Sequence, residues 1–306
     1  MTTPPFGRVL TAMVTPLTVD GAVDLARSAE LADRLVRAGN DGLVVSGTTG
    51  EAPTTTREEK ADLLRAVVDA VGGRAHVLAG VGTFDTAQSI ELARDAEKAG
   101  ATGLLSVTPY YSKPPQAGVV AHTLAVAEST ALPVMLYDIP GRTGVALKHA
   151  TLLELARHPQ VVALKDAKDD LVATTHLLAD LLGVQLDLAV YCGTDVLNLP
   201  LLSIGAVGFV SVVSHIVTPQ LVELVNAYST GDVARAASIN LLLQPVYAGL
   251  FRTQGVILTK AALALLGFPV GGVRLPLVDA TPAEIAQLRA DLVVGGVLAR
   301  ENGQSA

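Results

Sequence analysis

Tryptophan is absent from the 306 residues, cysteine occurs once, and no long basic stretch occurs. Each shortage closes a class of functions. The single thiol, Cys192, rules out an intrachain disulfide, argues against a thiolate metal site and fits a reducing compartment. A formal net charge of −7 without a basic patch argues against nucleic acid and against an anionic membrane surface. No apolar run approaches the ~20 residues that span a bilayer. The opening MTTPPFGRVL has neither the basic region nor the apolar run of a signal peptide. The expectation is a cytoplasmic protein with no membrane or nucleic-acid partner. Aromatics make up only 4% of the chain, so Ala, Val and Leu must do most of the packing, as in parallel-sheet proteins.

Motif-level absences narrow the chemistry further. No H-x-H, no H-E-x-x-H and no Asp/Glu/His cluster falls where strands end, which disfavours a metal-dependent barrel hydrolase. His76 begins an apolar run and His215 follows the last one. No Walker motif or Rossmann glycine pattern occurs, which disfavours nucleotide chemistry.

What is present is an alternation. Short apolar runs at 9–14, 42–45, 76–81, 103–107, 133–137, 161–165, 186–191 and 207–212 lack clean polar alternation, the pattern of strands buried on both faces. Helical patterns at 24–38, 56–71, 86–99, 116–130, 147–157, 169–182, 196–204 and 218–228 separate and follow them. Gly39 and Gly100 act as C-terminal stops, and Thr56 opens its helix with acids in the first turn. Strand then helix, eight times over, predicts a (β/α)8 TIM barrel of class α/β. A doubly wound sheet is the competitor, but the first strand ends in Met-Val-Thr-Pro rather than in a glycine-rich phosphate turn. The catalytic barrel is expected to occupy 1–231. Three helices at 232–250, 255–266 and 282–298 make 232–306 a C-terminal helical extension.

Reactive groups in such a barrel sit where strands end. Lys165 closes the apolar run Val161-Val162-Ala163-Leu164, where a charged amine is costly to bury. A free lysine has a pKa of about 10.4, so only about one amine in 10³ is nucleophilic at neutral pH; desolvation can lower that pKa by the ~3 units a Schiff-base lysine needs. The competing reading is a structural lysine that snorkels or pairs with a carboxylate such as Asp166. Lys168 is the rival amine, expected in a solvated loop. Tyr137 ends the preceding strand, either as a proton shuttle or as a core tyrosine. Arg142 follows in a tight Pro-Gly loop, suited to bidentate carboxylate binding or simply exposed. Gly47-Thr48-Thr49-Gly50 offers N–H groups and hydroxyls to an anion, a weak signal by itself.

Taken in order, Thr-Ala-Met-Val-Thr-Pro, Gly-Thr-Thr-Gly-Glu, Thr-Pro-Tyr-Tyr, Tyr-Asp-Ile-Pro-Gly-Arg-Thr-Gly and Leu-Lys-Asp-Ala resemble the pyruvate-dependent class I aldolase family that includes N-acetylneuraminate lyase and dihydrodipicolinate synthase. The resemblance runs from about Leu10 into the C-terminal helices and favours the synthase branch. It implies condensation of pyruvate with L-aspartate 4-semialdehyde on the route to diaminopimelate and lysine. By resemblance, Lys165 forms the imine. Tyr137 is the central acid/base of a relay with Thr48 and Tyr111, the last reaching into a neighbouring subunit's site. Thr49 holds the pyruvate carboxylate, Arg142 binds that of the aldehyde, and Gly193 and Val210 line the pocket. The family implies a homotetramer, a dimer of two tight dimers, and needs no cofactor.

Arg142 and Thr48 both fit the synthase branch; sialic-acid lyases resemble Tyr-Asn-Ile-Pro-Ala-Leu-Ser-Gly and often carry serine in place of Thr48. Another pyruvate aldolase cleaving a sugar acid or keto acid, and a catalytically silent barrel, are the alternatives. Two departures stand out. Cys192-Gly193-Thr194-Asp195 replaces the common Ser-Gly-Asp-Asp. Arg57, Phe84 and Gln88 stand where lysine-inhibited members resemble histidine, asparagine and glutamate, although Tyr110 matches. Weak or absent inhibition by lysine is expected.

Overall fold

The computed structural model describes residues 3–299. Among these, eight parallel strands close on themselves in sequence order: β1 (Val9–Ala12), β2 (Gly42–Val45), β3 (His76–Gly80), β4 (Gly103–Val107), β5 (Val134–Asp138), β6 (Val161–Asp166), β7 (Ala189–Cys192) and β8 (Gly208–Ser211). β8 returns to β1 through Val9↔Phe209 and Leu10↔Val210. The expected (β/α)8 barrel is the observed one.

Both faces of the barrel wall are covered, which is why its strands read as unbroken apolar runs. Alternate residues point inward and build one small interior core: Leu10, Val44, Leu78, Leu105, Met135, Ala163, Ala189 and Val210, one from each strand. Phe6 and Tyr191 plug the floor, where the Tyr191 hydroxyl donates to Gly7 O at 2.9 Å and accepts from Phe6 N–H at 3.2 Å. The outward residues join the helices in the larger core. Local signals set the helix ends: Thr56 and Glu59 form a reciprocal capping box, and Gly72 stops the same helix at φ +54°.

After β8 and the helix that follows it, Ser214–Ser229, the described residues hold four further helices, Val233–Leu242, Gln244–Leu250, Gly255–Leu265 and Pro282–Val294. The segment expected as one helix over 232–250 is thus broken in two. Pro245 lacks the N–H that would carry on the hydrogen-bond ladder of the preceding helix, so a new helix starts there with the proline in its first turn. The stretch between the last two helices runs back to the strand-end face, where Leu17 N–H donates to Val270 O at 3.0 Å. Among the described residues, no helix is long and apolar enough to cross a membrane.

Candidate active site

Strand register brings the lysine and the tyrosine together. Tyr137 of β5 pairs with Lys165 of β6, two residues above the inward-facing Met135 and Ala163. Both side chains therefore point into the mouth of the barrel. Lys165 is only 5% exposed, and its Nζ lies 4.3 Å from the centroid of the Tyr137 ring. Among the described residues no carboxylate comes within ion-pair distance of it. The carboxylate suggested as its structural partner, Asp166, faces away and takes Lys168 instead, at 3.2 Å. Lys168 is consequently almost buried rather than solvated, which removes it as the rival nucleophile.

Burial lowers the Lys165 pKa to about 8, with Asp195 opposing that shift and Arg142 adding to it. At pH 7.4 such a pKa leaves about one amine in five neutral, against about one in 10³ for a free lysine. Burial pushes the Tyr137 phenol up to about 12, moderated by Arg142 and by a hydrogen bond with Thr48. Tyr137 therefore stands protonated beside a partly neutral amine, ready to donate.

The Thr48–Thr49 loop is built for close approach. Ser46 leaves β2 at φ +56°, and the turn closes through Gly50 N–H to Gly47 O at 3.0 Å and Glu51 N–H to Thr48 O at 3.1 Å. The N–H groups of Thr48 and Thr49 have no partner among the described residues, so two donors stay open to an anion. Gly80 of the next strand permits this fit, since a Cβ there would lie 2.2 Å from Ser46 O. An anchor not foreseen from sequence holds the loop from behind. Glu51, at φ +54°, accepts from Lys260 Nζ at 2.7 Å and from Arg274 N–H at 2.9 Å, with the lysine and the glutamate both buried. Lys260 also donates to Gly272 O, and the Arg274 guanidinium spans Glu59, Thr54 O and Gly21 O. The helix Gly255–Leu265 and the stretch that follows it thus grip the loop that offers the anion donors.

The remaining expected site residues lie around this centre, with one exception. Arg142 sits on a single helical turn, Pro140–Thr143, and is exposed at the rim. Gly193 follows β7 against the lysine stem, where a Cβ would meet Lys165 Cγ at 3.0 Å and Asp166 O at 3.1 Å. Val210 is fully buried in the inner core. Tyr111 is the exception. It is 90% exposed and shares no hydrogen bond with Tyr137 or Thr48. Its φ of +69° and the Ser112 N–H to Tyr110 O bond at 2.8 Å form the rare, strained kind of γ-turn, which aims the phenol away from its own barrel. Asp195 was read only as part of a departure from the common motif. In the structure its buried carboxylate gathers the Ser211 hydroxyl, the Val212 and Val213 N–H groups and Asn198 Nδ2. His215 accepts from Val14 N–H at 3.0 Å, and burial lowers its pKa to about 4, so it is a neutral structural group.

This arrangement of barrel, amine, phenol and anion donors can be set beside known proteins. A family model described as the dihydrodipicolinate synthetase family matches residues 5–294. The chain belongs to that family. It is 60% identical over 293 residues to 4-hydroxy-tetrahydrodipicolinate synthase 2 of Streptomyces coelicolor, covering 96% of each chain. It is 60% identical over 292 residues to the 4-hydroxy-tetrahydrodipicolinate synthase of Acidothermus cellulolyticus, covering 95% of this chain and 93% of that one. Among solved structures, the synthase of Cyanidioschyzon merolae with lysine bound superposes with a TM-score of 0.91 at 40% identity, over 96% of this chain and 99% of that one.

Proposed function

We propose that the chain is a lyase that condenses pyruvate with L-aspartate 4-semialdehyde through a Schiff base on Lys165, in the route to diaminopimelate and lysine. The observation that carries the reading is a buried amine at a strand end, partly neutral near pH 7, with Tyr137 against it and no carboxylate to hold its charge. The neutral Lys165 attacks the pyruvate carbonyl carbon. Tyr137 gives a proton to the departing hydroxyl, which leaves as water, and Thr48 steadies that phenol. The open N–H groups at Thr48 and Thr49 suit the pyruvate carboxylate. Loss of a methyl proton turns the protonated imine into an enamine, whose carbon attacks the aldehyde. The amino group of the second substrate then adds to the imine carbon and expels Lys165. Arg142 supports an aldehyde that carries a carboxylate, and Gly193 and Val210 line the pocket with their backbone. The protonated imine serves as the electron sink, so the reaction calls for no cofactor.

Borohydride reduction in the presence of pyruvate tests the reading. Covalent mass should appear on a peptide containing Lys165, and product should form with L-aspartate 4-semialdehyde rather than N-acetylneuraminate as partner. No adduct, or turnover of the sugar acid alone, would overturn it. Tyr111 completes the relay from a neighbouring subunit in this reading, within a tetramer of two tight dimers. The strained and exposed turn that presents it supports that assembly. The single buried thiol and the net charge support a cytoplasmic location.

Control by lysine is expected to be weak. The Arg57 guanidinium is already engaged by Glu91 and Asp95, and Phe84 stacks edge-on against Tyr110 with centroids 5.4 Å apart. An amino acid arriving there meets an occupied cation and an apolar ring, with Gln88 in place of a carboxylate. Low-millimolar L-lysine should leave the initial rate nearly unchanged, and halving of the rate would contradict this.

A further inference from the structure

A second charged cluster lies directly behind the reactive pair. Strand alternation creates it: Tyr137 and Lys165 face inward, so the residues after them, Asp138 and Asp166, face the helix layer in register with each other. Both carboxylates are buried. Lys168 Nζ lies 3.2 Å from Asp166 Oδ2 and 3.5 Å from Asp138 Oδ2. Asp166 is further held by the Lys168 N–H at 3.0 Å and by the Thr174 hydroxyl at 2.5 Å. Asp138 Oδ1 accepts the Leu147 N–H at 3.1 Å, and its Oδ2 has no nearer partner than Lys168.

The Leu147 contact has a mechanical meaning. It closes the base of segment 139–147, which carries Arg142 on its helical turn. Gln116 grips the far shoulder of the same segment from outside, through Ala146 O and Lys148 N–H, both at 2.9 Å. From the strand itself, Asp138 is the side chain that joins this segment to Lys168, three residues beyond Lys165. A backbone bond from Ala167 N–H to Asp138 O at 2.9 Å secures the strand ends independently of any side chain. Two carboxylates against one ammonium leave a surplus charge out of water, and burial pushes Asp138 up to about 6. Asparagine could accept from Leu147 without that charge. Only the ion pair to Lys168 makes use of the acid's charge.

We infer that Asp138 and Lys168 are positioning residues for the second substrate, tying the Arg142 segment to the Lys165 strand and thereby fixing the span between guanidinium and imine nitrogen. That span selects an aldehyde whose carboxylate and carbonyl carbon are separated by the matching length. The inference rests on the reaction proposed above. Displacement by about 1 Å in such a clamp is worth up to ~10²-fold in rate.

The test separates the two substrates. Asp138→Ala should raise the KM for L-aspartate 4-semialdehyde about tenfold, while the KM for pyruvate and the yield of borohydride-trapped adduct stay within about twofold. Asp138→Asn keeps an acceptor for Leu147 but not the charge that pairs with Lys168, so it should show most of the same rise. Lys168→Met reads the tie from the other strand and must move the same constant in the same direction, which keeps the test alive if the alanine variant does not fold. An unchanged aldehyde KM in folded Asp138→Ala or Lys168→Met, with the adduct intact, would overturn the inference alone. Parallel loss of both KM values and of the adduct would overturn it in favour of a general structural role. No adduct in the unsubstituted protein would remove the reaction itself and the inference with it.

Discussion

Lys165→Met should yield a protein that is inactive and harder to unfold. The nucleophile is gone, so borohydride with pyruvate labels nothing and turnover falls by roughly 10⁴-fold or more. Stability moves the other way because the lysine pKa is depressed, from 10.5 to about 8. The unfolded chain holds its proton up to higher pH than the folded one, so the cost of burying the amine is present in full below pH 8. Stability is regained as pH rises from about 8 towards 10.5. Methionine fills similar space without the charge, and at neutral pH the gain is about 2–3 kcal/mol, several degrees in Tm. Thermal unfolding at pH 7 and pH 10 checks both parts: the variant should melt higher at pH 7, and the gap should narrow at pH 10. A lower Tm at pH 7, or a pyruvate adduct formed on Lys168 instead, would refute the assignment of this amine.

Lys260→Met should be among the most damaging substitutions in the chain although the residue touches no substrate. Removing the ammonium leaves the Glu51 carboxylate buried with only the Arg274 N–H, and breaking one side of a buried pair costs about 3–5 kcal/mol. Glu51 closes the turn that presents the Thr48 and Thr49 donors, so the KM for pyruvate should rise together with the loss of stability. The double variant Glu51→Gln/Lys260→Met has no uncompensated charge, keeps an acceptor for Arg274, and should recover most of the stability. Denaturant unfolding and pyruvate saturation measured on the same preparations decide the matter. A single variant as stable as the parent would show that the ion pair does not hold the loop.

The barrel was legible in the sequence because a wall buried on both faces leaves a simple trace: short runs of valine, leucine and alanine between helices with ordinary caps. Lys165 was legible for the opposite reason, as a charge that such a run should not contain. Local patterns could not reveal where charges far apart in sequence would meet. Nothing near Glu51 announces Lys260, and nothing near Lys168 says that two strand ends will bury carboxylates beside it, although Asp138 and Asp166 each follow the reactive residue of their strand. The break at Pro245 could have been read from the proline itself, but the apolar periodicity on either side masked it. Tyr111 was marked only by the resemblance, as reaching towards a neighbouring subunit; its φ of +69° and its exposure show how the turn aims it out of its own barrel.

The grip of Lys260 on Glu51 also sets an order in time. The two residues are separated by 209 positions, which at a synthesis rate of ~5–20 residues per second means the anchor emerges roughly 10–40 s after the loop it will hold. A growing chain can thus expose Lys165 before the turn that offers the carboxylate donors has its buried support. The reactive amine is made first and the cradle is finished last, so capture of pyruvate waits for one of the final helices to dock.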